Sequence, residues 1–118
     1  MKIQSAKAKG RKLQQLVRDK LIGMFQDLTI RDVKSCAMGS GGADVQLSEA
    51  AFKKFPFSIE CKNQAKMKPV FDAYYQAKKH GAGEPLVVIK TNGEKPLCVV
   101  DADVFFNLYK AAHAIKFM

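Results

Sequence analysis

No run in the 118-residue chain approaches the roughly 20 consecutive apolar residues that a membrane-spanning helix needs. The first residues also lack the apolar stretch of a secretory leader. Both absences point to the cytoplasm, whether of a cell or of an infected host, and away from a membrane partner. Cysteine is scarce: Cys36, Cys61 and Cys98 are an odd number, at spacings that fit neither a zinc site nor a disulfide framework. They are expected as small buried residues in a reducing compartment. Internal repeats and low-complexity segments are missing, and acid is in short supply. Eleven Asp and Glu against twenty Lys and Arg leave a net charge of +9. That balance favours a polyanionic partner, nucleic acid before a membrane surface.

What is present suffices for a core. Hydrophobic residues fill 47% of the positions, which argues against disorder and fits one domain but not two. The opening MKIQSAKAKGRK holds Lys2, Lys7, Lys9, Arg11 and Lys12 with no acid, so residues 1–12 read as a mobile basic arm ahead of a single domain over 13–118. From Leu13 onward Leu16, Val17, Leu21, Met24, Phe25 and Leu28 recur at three- and four-residue steps, the pattern of an amphipathic helix. Gln14, Gln15, Arg18 and Lys20 fall on its other face. TIRDVKSCAM then reads as a strand, GSGG as a turn or flexible loop, and ADVQLS as an alternating strand with Val45 and Leu47 on one face and Asp44 and Gln46 on the other.

EAAFKKF is a connection or short helix, and PFSIECKN a third strand entered through Pro56. A second helix is expected from about Pro69 to His80, ended by Gly81 and Gly83. PLVVIKTN reads as a buried strand, NGEK as a hairpin turn and PLCVVD as its partner. The closing helix, capped by Asp101 or Asp103, is expected to bury Val104, Phe105, Leu108 and Ile115. This order predicts an α/β fold with a mixed sheet of about five strands and helices packed against it.

Chemistry enters in PFSIECKN. Side chains alternate across a sheet, so Phe57, Ile59 and Cys61 turn inward while Glu60 and Lys62 share the other face, about 6 to 7 Å apart along the chain. A hairpin pairing ADVQLS with FSIECK would set Asp44 beside Glu60. Two carboxylates at a strand end make a hard oxygen site suited to magnesium or manganese. Lys62 would turn an activated water toward phosphorus and offset charge on the phosphate oxygens. Each feature also has an ordinary reading, Glu60 and Lys62 as a surface ion pair and Asp44 as a turn residue after GSGG. Their coincidence in a basic chain is what points to phosphodiester chemistry.

With Asp44 in GGADV and the acid-x-Lys of SIECKNQ, the sequence resembles the PD-(D/E)XK nuclease superfamily, and within it the Holliday junction resolvase-like and phage-encoded members. KAKGRKLQQLVRDKL is similar to that family's opening helix, VKSCAMGSGGADV to its first hairpin and EPLVVIK to its fourth strand. The resemblance implies a restriction-endonuclease-like core, metal held by Asp44 and Glu60, and Lys62 as the third catalytic residue. Magnesium is the implied cofactor, with manganese able to substitute. The implied substrate is branched DNA such as a four-way junction. Symmetric cutting of both strands would need a homodimer, for which the last helix with Phe105, Phe106 and Tyr109 is one candidate interface. Resolvases of this type carry a metal-binding Glu in the first helix, where this chain has Gln14. Gln14 is therefore placed, with Gln64 and Ser35, in a second shell or against substrate.

Lys9, Arg11, Lys12, Lys34, Lys66 and Lys68 are expected to hold DNA phosphates, and the MGSGGA loop to move over DNA, since glycine lets backbone approach phosphate closely. His80 and His113 read as surface residues. Two rival readings remain: another nuclease of nicking or repair type, and a nucleic-acid-binding module without catalysis.

Overall fold

A helix with six basic residues and one acid opens the described chain: α1, Ala6–Met24. It begins inside the segment expected as a basic arm, so Lys7, Lys9, Arg11 and Lys12 ride on its first turns. The computed structural model describes residues 6–36 and 44–116. Among these, no helix is long and apolar enough to cross a membrane. The chain divides into two compact units, Met1–Gln64 and Ala65–Met118.

In the first unit the apolar stripe of α1 buries Leu21 and continues past the helix end through Phe25 and Leu28. The chain then turns at Asp32, whose carboxylate accepts from the Thr29 backbone N–H (2.9 Å), the Thr29 hydroxyl (3.3 Å) and the Ser48 hydroxyl (2.8 Å). This turn shortens the first expected strand to β1, Val33–Ser35. β1 pairs antiparallel with β2, Val45–Leu47, in the register Val33 to Leu47 and Ser35 to Val45. Val33 and Val45 meet α1 in the core while Lys34 and Gln46 face out, the alternation the sequence predicts. Ser48 caps α2, Glu49–Lys54, its hydroxyl accepting from the Ala51 N–H at 3.1 Å. Lys54 closes α2 onto the end of α1, 3.1 Å from Asp27 and over the Phe25 ring.

The third expected strand does not form. Only one isolated bridge, Val45 to Ile59, joins this segment to β2. Two local bonds explain why. The Phe57 N–H donates to the Phe55 carbonyl across Pro56 at 2.8 Å, a tight turn that the fixed proline φ favours and that withdraws Phe57 from the ladder. At the other end, the Cys61 N–H goes to the Asp44 side chain instead of a backbone carbonyl.

The second unit runs from a short 3-10 turn, Ala65–Met67, into α3, Lys68–Lys79, with Pro69 in its first turn where the missing N–H costs nothing. Gly81 and Gly83 follow at positive φ, 76° and 83°. β3, Leu86–Ile89, and β4, Leu97–Val100, form an antiparallel hairpin whose turn contains Gly93 at φ 84°. Asp101 caps α4, Ala102–Lys116, accepting from the Val104 N–H at 3.1 Å.

The five-stranded mixed central sheet, and with it the restriction-endonuclease-like core, is therefore corrected: the described strands form two separate two-stranded antiparallel sheets. β3 is not a buried strand, because only Val87 is enclosed while Leu86 and Val88 are exposed. On α4 the enclosed side chain is Phe106, and Leu108 and Ile115 face out.

The Asp32 junction generates a pH dependence. The Thr29 N–H, then the Ser48 hydroxyl, hold the Asp32 carboxyl below its ordinary value of 3.8. A depressed carboxylate contributes stability that is complete above the ordinary value and lost as pH falls through the lowered one. Asp32→Asn is expected to melt below wild type at pH 7, with the gap closing as thermal scans move toward pH 3. Ser48→Ala, which removes the cap, should cost about 1 kcal/mol in urea unfolding.

Candidate functional site

Asp44 is knitted into the fold three times over. Its N–H donates to the Ile59 carbonyl (3.0 Å), its carbonyl accepts from the Cys36 N–H (2.9 Å), and its carboxylate Oδ2 accepts from the Cys61 N–H (2.7 Å). The last is a short, charge-assisted bond of the stronger kind. It fixes the Asp44 side chain against the backbone between Glu60 and Lys62. Among the described residues, the other carboxylate oxygen of Asp44 carries no hydrogen bond.

Glu60 and Lys62 lie on one side of this segment, as the alternation predicts, with Lys62 Nζ 3.7 Å from Glu60 Oε2. Their side chains are 62% and 58% exposed. A contact so long and so wet is worth at most about 1 kcal/mol, so either group can leave it for another partner at little cost. Between them, the Cys61 thiol is pushed up first by burial and then by the negative charges of Asp44 and Glu60. A thiol raised in this way is a poorer source of reactive thiolate than an ordinary cysteine.

Gln14 is 1% exposed, the one enclosed polar side chain among the described residues. Its Oε1 accepts from the Ser35 hydroxyl at 2.9 Å. The bond joins α1 to β1 at the residue opposite Val45, next to Asp44. Gln14 and Ser35 sit on the face of β1–β2 that packs on α1, so they brace the hairpin from behind. Helical geometry carries the signal for this burial: Gln14 stands two turns before Leu21 and one before Val17, on the apolar stripe itself.

The remaining expected residues are dispersed. Gln64 is exposed, Lys34 projects from the polar face of β1 opposite Gln46, and Lys9, Arg11 and Lys12 are exposed on α1. None of these four cations pairs with an acid among the described residues. In the second unit Lys66 is exposed, while Lys68 is held by Asp72 at 2.9 Å, which offsets its charge. His80 is exposed and His113 half-buried. The MGSGGA loop lies outside the described residues. Cys36 and Cys61 are half-buried and Cys98 exposed, all three free, so the expected burial holds for none of them in full.

Among the described residues no group of three or more His, Cys, Asp or Glu side chains forms a ready-made metal cage. Asp44 and Glu60 offer two carboxylates, within the one or two that magnesium takes from proteins when waters and phosphate oxygens complete its shell. The reading of Asp44 from sequence missed that one of its oxygens serves the backbone. The signal was the turn preference of Asp after GSGG, which rests on such side-chain to backbone bonds. No protein-family model matches the chain, nor does any curated protein or any solved structure.

Removing the Gln14 amide would leave the Ser35 hydroxyl without its acceptor and open space beside it. Gln14→Ala is expected to lose about 1 to 3 kcal/mol in chemical unfolding, whereas Gln15→Ala, one position along the helix, should stay near wild type.

Proposed function

We propose that the protein is a divalent-metal-dependent DNA endonuclease that hydrolyses phosphodiester bonds at Asp44, Glu60 and Lys62, with branched DNA such as a four-way junction as its favoured substrate. The observation that carries this reading is the 2.7 Å bond from the Cys61 N–H to Asp44 Oδ2, which holds one carboxylate against the segment bearing Glu60 and Lys62. Asp44, through its second oxygen, and Glu60 would hold magnesium, or manganese in its place. The ion, when bound, supplies a Lewis acid for phosphate oxygens and lowers the pKa of water. Lys62 has the mobility its role needs. By leaving the loose contact with Glu60 it can orient the attacking water and lie against the phosphate as negative charge accumulates there.

Binding is electrostatic in this reading. α1 concentrates Lys7, Lys9, Arg11 and Lys12 at its N-terminal end, where the helix dipole already disfavours cations. Their mutual repulsion is relieved when phosphates neutralise them, so affinity should fall steeply with salt and depend little on base sequence. Two symmetric cuts require two copies of the site. A homodimer would supply them, and α4, with Leu108 and Ile115 turned outward, is the face proposed for it.

A second reading has its own support. One Asp44 oxygen serves the backbone and Glu60 has Lys62 beside it, so both acids can be structural in a DNA-binding module without catalysis. A labelled panel of junction, flap and linear duplex DNA, incubated with and without magnesium, separates the two. The endonuclease reading expects metal-dependent cleavage, fastest on the branched forms. Asp44→Asn, whose amide oxygen can still accept from Cys61, and Glu60→Gln should each abolish cleavage while DNA binding holds or tightens. Lys62→Ala should cost about 10²- to 10³-fold in turnover with little change in metal dependence. Failure of magnesium to switch on cleavage of any substrate would leave the non-catalytic module standing. A nicking or repair-type enzyme would show itself by preferring flap or linear duplex.

A further inference from the structure

The second unit contains a cavity of about 340 Å³ between α3 and the junction of β4 with α4. Its wall on α3 is Phe71, Tyr74 and Tyr75; its opposite wall is Val99 and Val100, ending at Asp101. Phe71 and Tyr75 are 57% and 55% exposed, an unusual position for two large aromatic side chains one turn apart. Tyr74 and Tyr75 meet edge to face, with ring centroids 5.5 Å apart, which stiffens that wall. The volume is at the lower end of small-molecule sites, about 300 to 1,000 Å³.

The charged group lining this cavity is Asp101. Burial first, then the charges of Asp101 and Glu84, push the Tyr74 phenol up. A phosphate would be repelled there. What suits aromatic faces beside a carboxylate is a planar ring that carries hydrogen-bond donors on its edge. Asp101 spends Oδ1 on the Val104 N–H, and a carboxylate retains acceptor capacity beyond one such bond. Along α3 the cavity stripe continues as Phe71, Tyr74, Tyr75 and Lys78, at helical spacing. Lys78 is exposed and pairs with no acid among the described residues. An apolar slot, an acceptor at its end and a cation one turn along match the parts of a nucleotide: base, amino edge and phosphate.

We propose that this cavity binds an unpaired, amino-bearing nucleobase, stacked on Phe71 and Tyr75, with its amino group donating to Asp101 and its phosphate against Lys78. The inference rests on the DNA reading above and sharpens it. Paired, stacked bases hide their faces and their Watson–Crick edges, so a site that stacks on the face selects DNA with unpaired nucleotides, as at flaps and distorted branch points.

The test uses 5′-labelled oligo-dC and oligo-dT of equal length, titrated by fluorescence anisotropy in EDTA so that cleavage plays no part. Wild type should prefer oligo-dC, whose cytosine carries the amino donor that thymine lacks. Phe71→Ala and Tyr75→Ala, both at exposed positions, should weaken oligo-dC binding about 5- to 100-fold without changing its salt dependence. Tyr75→Trp should restore it. Lys78→Ala should instead flatten the slope of log affinity against log salt by about 0.7. Asp101→Asn, which still caps α4, should bring the two oligonucleotides to within about twofold. Wild-type oligo-dC binding by folded Phe71→Ala and Tyr75→Ala overturns the proposal. So does a fall in their self-association with DNA binding unchanged, which would make this face a contact between copies. Cleavage that persists while these variants bind normally sinks the cavity alone; base-selective binding without magnesium-dependent cleavage sinks the nuclease alone.

Discussion

A carboxylate oxygen that does the work of a backbone carbonyl holds the candidate site together. Antiparallel pairing continued past the Val45 to Ile59 bridge would take the Cys61 N–H to a backbone carbonyl on the chain ahead of β2; the Asp44 side chain accepts that N–H instead, at 2.7 Å. The consequence is structural and electrostatic at once. The segment carrying Glu60 and Lys62 stays beside β2 without becoming a strand, and a negative charge is anchored where a neutral peptide group would otherwise be. Buried or half-buried N–H groups must find acceptors, so the same bond that satisfies Cys61 dictates where Asp44 can point. An acid located by its backbone duty is better preorganised than one on a free rotamer, because its ordering is completed in folding and not on binding.

Around that bond, the cations divide by how firmly they are held. Lys54 is tied to Asp27 and laid over Phe25, and Lys68 is held by Asp72. Lys62 is different, since its 3.7 Å contact with Glu60 is too long for a good hydrogen bond and both side chains are mostly in water. Lys9, Arg11, Lys12 and Lys34 have no acid beside them among the described residues. The charge excess seen in the composition is therefore not consumed by internal pairing, and a large part of it sits on one helix. This distribution underlies the proposed affinity for a polyanion more than the net charge does.

What could be read from the sequence was what short-range chemistry decides. Pro69 and the Gly81 and Gly83 pair around α3, and NGEK between two apolar runs, each act within a few residues, and each produced the expected element. The sheet failed because it depended on pairings between segments that local pattern does not determine. Alternation in PFSIECKN is equally compatible with a paired strand and with a chain that bends at Pro56 and bonds to a side chain. Of the site, the contact between Glu60 and Lys62 follows from their spacing of two in an extended segment, whereas Asp44 meets that segment through its bond to the Cys61 N–H and not through the expected strand pairing. The burial of Gln14 was not legible, because a polar residue on a helix is assigned to the water side by default. Its place on the apolar stripe outweighed its polarity once Ser35 supplied a partner.

The second unit raises a question of balance that its local elements do not answer. Among its described residues only Val87 and Phe106 are enclosed, while Leu86, Val88 and Leu97 on the hairpin and Phe71 and Tyr75 on α3 meet solvent. A thin core makes for low local stability, and exposed aromatic residues carry a risk of self-association. Both are costs that evolution removes easily by substitution with polar residues unless those side chains have work to do. A cavity whose walls are apolar and whose rim is aromatic gains burial only when something fills it. A ligand that does so stabilises the unit by mass action, so the weakness of the empty unit and the usefulness of its binding face come from the same side chains. In the proposed reading the anionic end at Asp101 decides which ligand that is, since it disfavours a phosphate and would accept the donor edge of a base.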